Sequence, residues 1–381
     1  MRILMLSKAL VVGAYQKKAE ELAALPGVEL TVAVPPVWRE PGALAQPIER
    51  RFTRGYRLVE LPIWLNGRHH LHFYPGISRL VAAVRPDVLH IDEESFNFAT
   101  YQAMRAGVRY GARCCFYNWA NIERRYPPPF GWFEQYNFRH AAHAIAGVYE
   151  AAAIIRRHGY SGPISILPQV GVDPQLFSPA ADQQPGTGGQ VGTSGPPVSA
   201  SGASFVVGYL GRLVPQKGLL DLVEALVRLP ERVRVRLIGA GVQRPVLLAR
   251  AAELGVGARL ELIDWTADVP GELRRLDALA LPSRTTRSWK EQFGRVLPEA
   301  MSCGLPVIGS SSGEIPNVVG DAGLIFPEGD VPALAAAIER LAANPALCAE
   351  LGRRGRARVL ANYTQAALAR KYYDVYRQML Q

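Results

Sequence analysis

Two glutamates with seven residues between them, Glu291 and Glu299, form the most informative acidic pair of the chain. If the segment between them is helical, the two residues stand about 12 Å apart along the helix axis, because each residue adds about 1.5 Å. This separation exceeds the roughly 5–9.5 Å between the paired carboxyls of glycoside-hydrolysing sites. The spacing instead predicts two carboxylates that hold opposite ends of one elongated polar ligand, and a nucleotide sugar has that shape.

Basic residues and glycines near this pair suit a diphosphate. Residues 208–218 (GYLGRLVPQKG) follow an apolar run that begins at Phe205, and they predict a strand, a turn and then a helix. Arg212 and Lys217 flank the turn, where a guanidinium and an ammonium would neutralise phosphate charge. Gly294 permits a close backbone approach, and we expect amide N–H groups at the start of the following helix to face a phosphate.

Three segments together resemble the retaining glycosyltransferases of family 4, which have the GT-B fold. They are Gly211-Arg212 with Lys217-Gly218, residues 291–307, and residues 312–316. The resemblance extends from about residue 205 to the C-terminus and is looser in residues 86–90 and 168–173. It implies an α/β protein of two Rossmann-like, doubly wound domains that face a cleft. It also implies a retaining enzyme that moves a sugar from a UDP- or GDP-sugar to a hydroxyl acceptor, without a metal or another cofactor.

The resemblance also implies roles for individual residues. Glu291 would contact the donor sugar and Glu299 the nucleotide ribose, while Arg212 and Lys217 bind the diphosphate and stabilise its departure. The alternatives are an exposed helix position for Glu299, a helix-dipole partner for Glu291, and solvated loop cations for Arg212 and Lys217. The remaining donor-binding positions that we assign are Phe293, Gly294, Arg295, Val296 and, near the base, Asp264.

The N-terminal half contributes further expected contacts. Family members place a glycine-containing loop after the first strand against the donor phosphates or the acceptor, which implies Gly13 as the close-approach residue. Lys17 and Lys18 either face phosphate or begin a solvated helix. Many family members have a sugar-contacting histidine after the fifth strand, where this chain has residues 116–121 without a histidine. We assign Asn118 to the catalytic set, because its amide both donates and accepts.

An acidic cluster and several aromatic residues are the candidates for acceptor binding. Asp92, Glu93 and Glu94 either position an acceptor hydroxyl or cap the next helix. We also assign Trp119 and Trp132 to the acceptor. Trp132 belongs to residues 124–133, which mix cations, prolines and aromatics. Such a segment suits stacking on a sugar, contact with a lipid surface, or packing in the core.

Composition narrows the class of protein. The 381 residues carry a net charge of +10, which suits anionic ligands such as nucleotide diphosphates. We expect no nucleic-acid partner, because no matching motif is present. His69, His70 and His72 predict a loop rather than a metal site. The absence of a long apolar run and of a disulfide framework predicts a cytoplasmic protein, with peripheral contact at the inner membrane surface as the further option.

Alternating β-rich and amphipathic segments predict two parallel sheets. The expected domains are residues 1–177 for the acceptor and 204–363 for the nucleotide sugar, joined by a Gly/Pro/Ser-rich linker at 178–203. By resemblance, the last helix at 364–381 packs back on the first domain. The predicted strands are 3–6, 29–34, 57–61, 88–91, 113–117, 164–167, 205–210, 233–238, 260–263, 278–281, 306–309 and 323–325. The predicted helices are 17–25, 76–84, 98–106, 131–142, 151–157, 219–228, 246–254, 296–302, 331–341 and 365–380.

The sequence pattern also allows other functions. A phosphorylase or synthase of the same fold would use a glycosyl phosphate or sucrose, and a non-catalytic nucleotide-sugar binder would explain the missing histidine. The turn Gly239-Ala240-Gly241 follows a strand, but Arg244 occupies the place of the third glycine of a dinucleotide-binding fingerprint. A nicotinamide-dependent oxidoreductase is therefore a distant third reading.

Overall fold

The chain forms two compact units. The structure, a computed structural model, describes residues 1–40, 44–180 and 204–381. The first unit comprises residues 1–171 and 365–381, and the second comprises residues 172–364. The sequence pattern placed the corresponding boundaries at residues 177 and 363. Most of the predicted linker, residues 181–203, lies outside the described residues.

Nine strands occur in the described part of the first unit. Seven form a fully parallel sheet, and two short ones form a separate antiparallel pair. The strands are β1 (Arg2–Leu6), β2 (Glu29–Val34), β3 (Val37–Trp38), β4 (Gln46–Pro47), β5 (Arg57–Glu60), β6 (Val88–Ile91), β7 (Arg113–Asn118), β8 (His143–Ala146) and β9 (Ile164–Ile166). The order of the parallel sheet is β5-β2-β1-β6-β7-β8-β9, and β3 pairs with β4.

Helices cover both faces of this sheet, because successive side chains of a strand point to opposite faces. Leu4 and Leu6 of β1 pack with the second to fifth helices, whereas Ile3 and Met5 pack with the first and the last helix of the chain. The helices are α1 (Lys17–Ala23), α2 (Ile77–Val84), α3 (Phe98–Arg109), α4 (Phe130–His140) and α5 (Tyr149–Arg157). The final helix belongs to this unit, and its inner face is fully buried at Leu368, Tyr372 and Tyr376.

The described part of the second unit repeats this architecture with six parallel strands. They are β10 (Phe205–Leu210), β11 (Val233–Ile238), β12 (Leu260–Ile263), β13 (Ala278–Leu281), β14 (Val307–Ser310) and β15 (Leu324–Phe326). Their order in the sheet is β12-β11-β10-β13-β14-β15. Its helices are α6 (Leu219–Ala225), α7 (Arg244–Glu253), α8 (Val269–Arg274), α9 (Val296–Ser302), α10 (Ile315–Val319), α11 (Val331–Ala342) and α12 (Pro345–Asn362), and α13 (Gln365–Leu380) is the final helix.

The predicted pair of doubly wound α/β domains is confirmed by these two parallel sheets. Strands β3, β4 and β8 and helices α8, α10 and α12 were absent from the sequence prediction. The segment from Glu291 to Glu299 is helical only from Val296 onward, so the 12 Å estimate for a helical spacing does not apply to this pair. Among the described residues, no helix is long and apolar enough to cross a membrane.

Candidate functional site

The predicted site residues of the second unit converge where the sheet changes direction. After β10 the chain adds β11 and β12 on one side, and it then adds β13 on the other side of β10. The loops that follow β10 and β13 therefore run in opposite directions and leave a crevice at the carboxyl ends of these strands. Such a crevice is the usual ligand position in an open parallel sheet. Residues 211–218 follow β10, and residues 282–295 follow β13.

Gly218 locks the turn after β10 against the segment after β13. Residues Pro215–Lys217 form one turn of 3₁₀ helix, which ends at Gly218 with a φ of +65°. A Cβ on Gly218 would lie 2.0 Å from the carbonyl oxygen of Pro282, so no other residue fits without displacement. The backbone N–H of Arg284 donates to the carbonyl of Gln216 at 2.9 Å. These contacts fix Lys217 beside the end of β13.

Lys217 and Glu291 form an ion pair at this position. The Nζ of Lys217 lies 2.5 Å from Oε2 of Glu291, and the Oγ of Ser283 donates to the same oxygen at 2.7 Å. The side chains of Lys217 and Glu291 are 14% and 8% exposed, so the pair is largely shielded from water. The structure thus brings together the cation and the carboxylate that the sequence predicted for one ligand.

The loop before α10 fixes the backbone of Glu291. The N–H of Glu314 donates to the Glu291 carbonyl at 3.2 Å. Gly313 has a φ of +55°, and a Cβ there would lie 2.0 Å from that carbonyl oxygen. Residues 312–316, which carried part of the family resemblance, therefore support the position of Glu291.

Other predicted donor contacts have different environments. Arg212 is exposed, and the hydroxyl of Tyr209 donates to its carbonyl at 2.9 Å. Arg295 pairs with Glu299 at 3.5 Å within one helical turn. Burial raises the pKa of the Glu299 carboxyl, and Arg295 partly offsets this effect. Glu299 is therefore a largely buried carboxylate rather than the exposed helix residue of the alternative interpretation.

Three further residues were predicted to bind the donor. Two of them lie in the segment after β13, and the third lies at the edge of the sheet. Phe293 is buried and packs edge-on against Tyr363. Gly294 has a φ of +68°, and a Cβ there would approach Leu281 to 2.7 Å. Asp264 follows the edge strand β12, two strands away from β10, where it is 84% exposed and pairs with Arg244. The structure therefore does not bring Asp264 to the Lys217–Glu291 pair.

Gly13 makes its close approach to a residue of its own unit. Its N–H donates to Oε2 of Glu49 at 2.8 Å, and a Cβ on Gly13 would lie 2.7 Å from that oxygen. An acidic side chain thus contacts Gly13, where the resemblance implied the donor phosphates or the acceptor. Lys17 pairs with Glu20 and Glu21.

Lys18 is buried instead of facing a solvated helix start. Its Nζ donates to the carbonyl of Gln169 at 2.6 Å and lies 4.0 Å from the ring centre of Tyr372. Burial lowers the pKa of Lys18 to about 8, although the nearby Asp92 carboxylate opposes this change. The described contacts of Lys18 therefore join α1 to α13.

The acidic residues after β6 have distinct partners. Asp92 accepts from Ser7 at 2.5 Å and from Gln169 at 2.9 Å. Glu93 pairs with Lys8 and with His72. Burial opposes ionisation of Glu93, but Lys8 and His72 outweigh it and lower the pKa to about 2. His69 pairs with Glu40 instead, so the neighbouring histidines do not share one ligand set.

Glu94 differs from its two neighbours. Its Oε1 accepts from the N–H groups of Trp119 and Ala120 at 3.0 and 3.1 Å. Its Oε2 is buried and has no hydrogen-bond partner in the described part of the chain. Burial raises the pKa of Glu94 to about 7.

Asn118 and the two predicted acceptor tryptophans have contrasting environments. Asn118 is 3% exposed, and its amide binds Ser95 through both ends, at 2.8 and 3.2 Å. The structure thus places both ends of the Asn118 amide against Ser95, and its assignment to the catalytic set stays a prediction. Trp119 stacks on Tyr117, whereas Trp132 on α4 is 68% exposed.

Comparison with protein-family models decides the family. The family described as Glycosyltransferase Family 4 matches residues 17–187, and the family described as Glycosyl transferases group 1 matches residues 204–344. The two matches together cover most of the chain. The chain belongs to glycosyltransferase family 4. This membership agrees with the resemblance of the Gly211–Gly218 turn and the Glu291–Glu299 segment.

Named relatives of this family 4 chain match it over part of their length. The lipopolysaccharide core biosynthesis glycosyltransferase LpsE of Rhizobium meliloti is 31% identical over 198 residues, which are 51% of this chain and 55% of LpsE. The GDP-mannose-dependent α-(1-6)-phosphatidylinositol monomannoside mannosyltransferase of Mycolicibacterium smegmatis is 32% identical over 227 residues, 56% of either chain. The chain spans about half the length of the curated relatives that it matches.

Solved structures resemble the family 4 chain over nearly its whole length. HepE of Anabaena in complex with UDP has a TM-score of 0.72 at 18% identity and covers 99% of this chain and 100% of its own. The sucrose-phosphate synthase of Thermosynechococcus elongatus has a TM-score of 0.68 at 21% identity, with coverage of 100% and 99%. At these identities the likeness establishes the shared fold.

Sequence reasoning missed two residues that contact the ion pair. Ser283 lies two residues after the end of β13, where the sheet changes direction, and this position is the signal that would have identified it. Trp289 lies two residues before Glu291, and its ring faces Lys217. Its position in sequence gives no indication of that contact, because the contact depends on the loop conformation.

Proposed function

We propose that this family 4 chain transfers a sugar from a UDP- or GDP-sugar to a hydroxyl of a glycan, a lipid or a small molecule. The observation that carries the proposal is the Lys217–Glu291 pair at the carboxyl ends of β10 and β13. The relatives give further support, because one is named as GDP-mannose-dependent and one solved structure of the same fold is a complex with UDP.

The charges of the second unit suit each part of such a donor. Lys217 and the exposed Arg212 would neutralise the diphosphate, and Glu291 would accept hydrogen bonds from sugar hydroxyls. Glu299 would bind ribose hydroxyls. As the bond between the anomeric carbon and the phosphate oxygen breaks, negative charge grows on the diphosphate. Fixed cations at that point stabilise the transition state more than the ground state.

We propose that transfer retains the anomeric configuration and uses no metal ion. The acceptor hydroxyl would attack the face from which the diphosphate departs. Lys217 and Arg212 would supply the positive charge that a divalent ion supplies in metal-dependent transfer.

We propose that the acceptor binds to the first unit. Glu94 and Trp119 lie after neighbouring strands, β6 and β7, and Glu94 offers a buried carboxylate oxygen. Trp132 with the exposed Arg124 and Arg125 adds an aromatic and basic surface, which suits a glycan or an anionic lipid surface at the inner membrane. The protein would then act in the cytoplasm.

A transfer assay with matched variants tests the proposal. The protein is incubated with UDP-glucose, UDP-N-acetylglucosamine or GDP-mannose and a panel of hydroxyl acceptors, with and without EDTA. Nucleoside diphosphate release is measured, and proton NMR gives the anomeric configuration of the product. We expect one donor to be used in EDTA with retention.

Lys217→Ala and Glu291→Gln are expected to lower turnover about a hundredfold or more, the size of effect seen when a transition-state contact is removed. Arg287→Ala, which removes an exposed cation from the same segment, is the control and should leave turnover near normal. Urea denaturation verifies that the variants fold. Near-normal turnover in both site variants would contradict the proposal.

A further inference from the structure

Trp289 is the aromatic neighbour of the Lys217 ammonium. The Nζ of Lys217 lies 5.0 Å from the centre of the Trp289 ring, within the range of a cation–π interaction. The same Nζ donates to Glu291. The ammonium thus has one carboxylate partner and one aromatic partner, supplied by residues only two positions apart in sequence.

The segment that carries Trp289 is tied down at its beginning. Arg284 binds Asp221 through two hydrogen bonds, at 2.9 and 2.5 Å. The N–H of Thr285 donates to Glu328 at 2.5 Å, and the hydroxyl of Thr285 lies 3.0 Å from that of Ser312. Although its residues 284–288 are exposed, this segment is therefore anchored to α6, to the loop after β14 and to the loop after β15.

A tight turn then places the Trp289 ring. The N–H of Thr286 donates to the carbonyl of Trp289 at 2.8 Å, and these two residues form an antiparallel bridge. The N–H of Ser288 donates to the hydroxyl of Thr286 at 3.4 Å. The turn folds Trp289 back into a half-buried position, in contrast to the exposed residues before it.

A lysine side chain needs such restraint to act as a fixed charge. Its ammonium sits on four flexible methylenes, and ordering them on ligand binding lowers affinity. A ring that restricts the ammonium before the ligand arrives lowers this cost. The ring also attracts the cation without neutralising its charge, so that the cation still attracts a phosphate.

We propose that Trp289 is a positioning residue, whose ring holds the Lys217 ammonium where the diphosphate of a nucleotide sugar binds. This inference deepens the proposed function and rests on it for the identity of the ligand. The positioning itself is a property of the ligand-free protein.

The first test needs no ligand. The full chain is treated briefly with acetic anhydride, and acetylation of Lys217 is measured by mass spectrometry relative to Lys17. We expect Trp289→Leu, which removes the aromatic face, to raise Lys217 acetylation at least threefold. Trp289→Phe keeps an aromatic face and should stay within twofold of the natural protein. Unchanged acetylation in Trp289→Leu would overturn the positioning role.

The second test compares diphosphates with monophosphates by calorimetry. Trp289→Leu is expected to weaken UDP or GDP binding about three- to thirtyfold, the range that cation–π energies imply. Binding of UMP or GMP should change less than twofold, because these ligands lack the second phosphate. Trp289→Phe should recover most of the lost affinity. Trp64→Leu, the same change at an exposed tryptophan of the first unit, is the control.

The outcomes separate the two proposals. An equal loss of diphosphate and monophosphate binding in Trp289→Leu would contradict a role through Lys217. Raised acetylation of Lys217 in a protein that binds neither UDP nor GDP would support the positioning by Trp289 and overturn the donor site of the proposed function.

Discussion

At the scale of the residue, the neighbouring glutamates Glu93 and Glu94 have pKa values that are shifted in opposite directions. Glu93 pairs with Lys8 and His72, whereas Glu94 receives two backbone N–H groups on one oxygen and nothing from the described residues on the other. Burial is common to both residues, so the difference in pKa arises from the cationic partners of Glu93.

Because the pKa of Glu94 is raised, we expect Glu94→Gln to increase the free energy of unfolding by an amount that depends on pH. The folded pKa of about 7 exceeds the ordinary 4.5, so the folded state holds the proton more tightly than the unfolded state. The natural protein therefore loses stability as pH rises from about 4.5 through 7. We expect Glu94→Gln to be neutral near pH 4.5 and to stabilise by about 1–3 kcal/mol at pH 8, measured by urea denaturation.

Glu93→Gln serves as the contrast, because the pKa of Glu93 is lowered whereas that of Glu94 is raised. A folded pKa of about 2 means that Glu93 contributes stability above about pH 4.5 and loses it as pH falls toward 2. Its replacement should destabilise at pH 7 by about 3 kcal/mol or more, since it leaves Lys8 without its carboxylate. A Glu94→Gln variant that loses stability at pH 8 would show that the Glu94 carboxylate is needed in its ionised form.

At the scale of the element, glycines at loop crossings determine where the site residues stand. Gly218 brings the turn after β10 against Pro282, and Gly313 brings the loop before α10 against Glu291. The strands set the crevice, and these backbone contacts set the positions of Lys217 and Glu291 within it.

We expect Gly218→Ala to lower the free energy of unfolding more than the same change at Gly255. Both glycines have nearly the same conformation, with φ values of +65° and +68°. A Cβ on Gly255 has no neighbour within 4 Å, whereas one on Gly218 would lie 2.0 Å from Pro282 O. Gly255→Ala should therefore cost only the conformational strain, about 1 kcal/mol.

Gly218→Ala should destabilise by at least about 2 kcal/mol more and weaken nucleoside diphosphate binding, since relief of the clash moves Lys217. Urea denaturation and calorimetry on both variants give the comparison. Equal effects of the two substitutions would mean that the turn after β10 tolerates displacement.

The elements predicted from sequence were those with strong local patterns. All six strands of the second sheet were predicted, because each is either an apolar run or, as in β11 and β12, an alternation of apolar and charged residues. Strand β8 (His143–Ala146) was missed, because a short alanine-containing segment that is buried throughout shows no alternation. Helix α12 was missed because Gly352 and Gly355 suggest a break. Gly352 instead permits a close approach, since a Cβ there would lie 2.1 Å from the carbonyl oxygen of Gly304.

The candidate site was predicted in residue identity more than in geometry. The sequence pattern gave Lys217 and Glu291, and the structure brings these two together. The partners Ser283 and Trp289 and the burial of Asn118 could not be predicted from the sequence pattern, because they depend on how loops fold over the ends of the strands. The interaction of Gly13 with Glu49 depends in the same way on contacts between residues distant in sequence.

At the scale of the whole molecule, two similar sheets place different chemistry at the same architectural position. In the first unit, the ends of β1 and β6 are joined by Ser7–Asp92 and Lys8–Glu93 contacts. In the second unit, the loops after the corresponding strands β10 and β13 carry the Lys217–Glu291 pair. The first unit also depends on residues from the far end of the chain, because α13 completes one of its two cores.

Tyr376→Phe tests this dependence on α13. The Tyr376 hydroxyl lies 2.6 Å from Nδ1 of the buried His90, whose pKa burial lowers to about 4, so His90 is neutral at pH 7. Removing the hydroxyl leaves Nδ1 without its partner, and we expect a loss of about 1–3 kcal/mol in urea denaturation. Tyr373→Phe on the same helix is the control. The Tyr373 hydroxyl donates to the carbonyl of Pro26 at an exposed site, so its removal should cost less than about 0.5 kcal/mol. Equal losses would show that α13 contributes no specific polar contact to this core.

The donor site at the ends of β10 and β13 is tested most directly by calorimetric titration of the protein with UDP, GDP and ADP in EDTA, repeated with Lys217→Ala. We expect one of these diphosphates to bind the natural protein without metal. Lys217→Ala should weaken this binding tenfold or more, since it removes a charge-assisted contact to phosphate. Absence of binding by all three diphosphates, or binding that is unchanged in Lys217→Ala, would contradict the assignment of the β10–β13 crevice as the donor site.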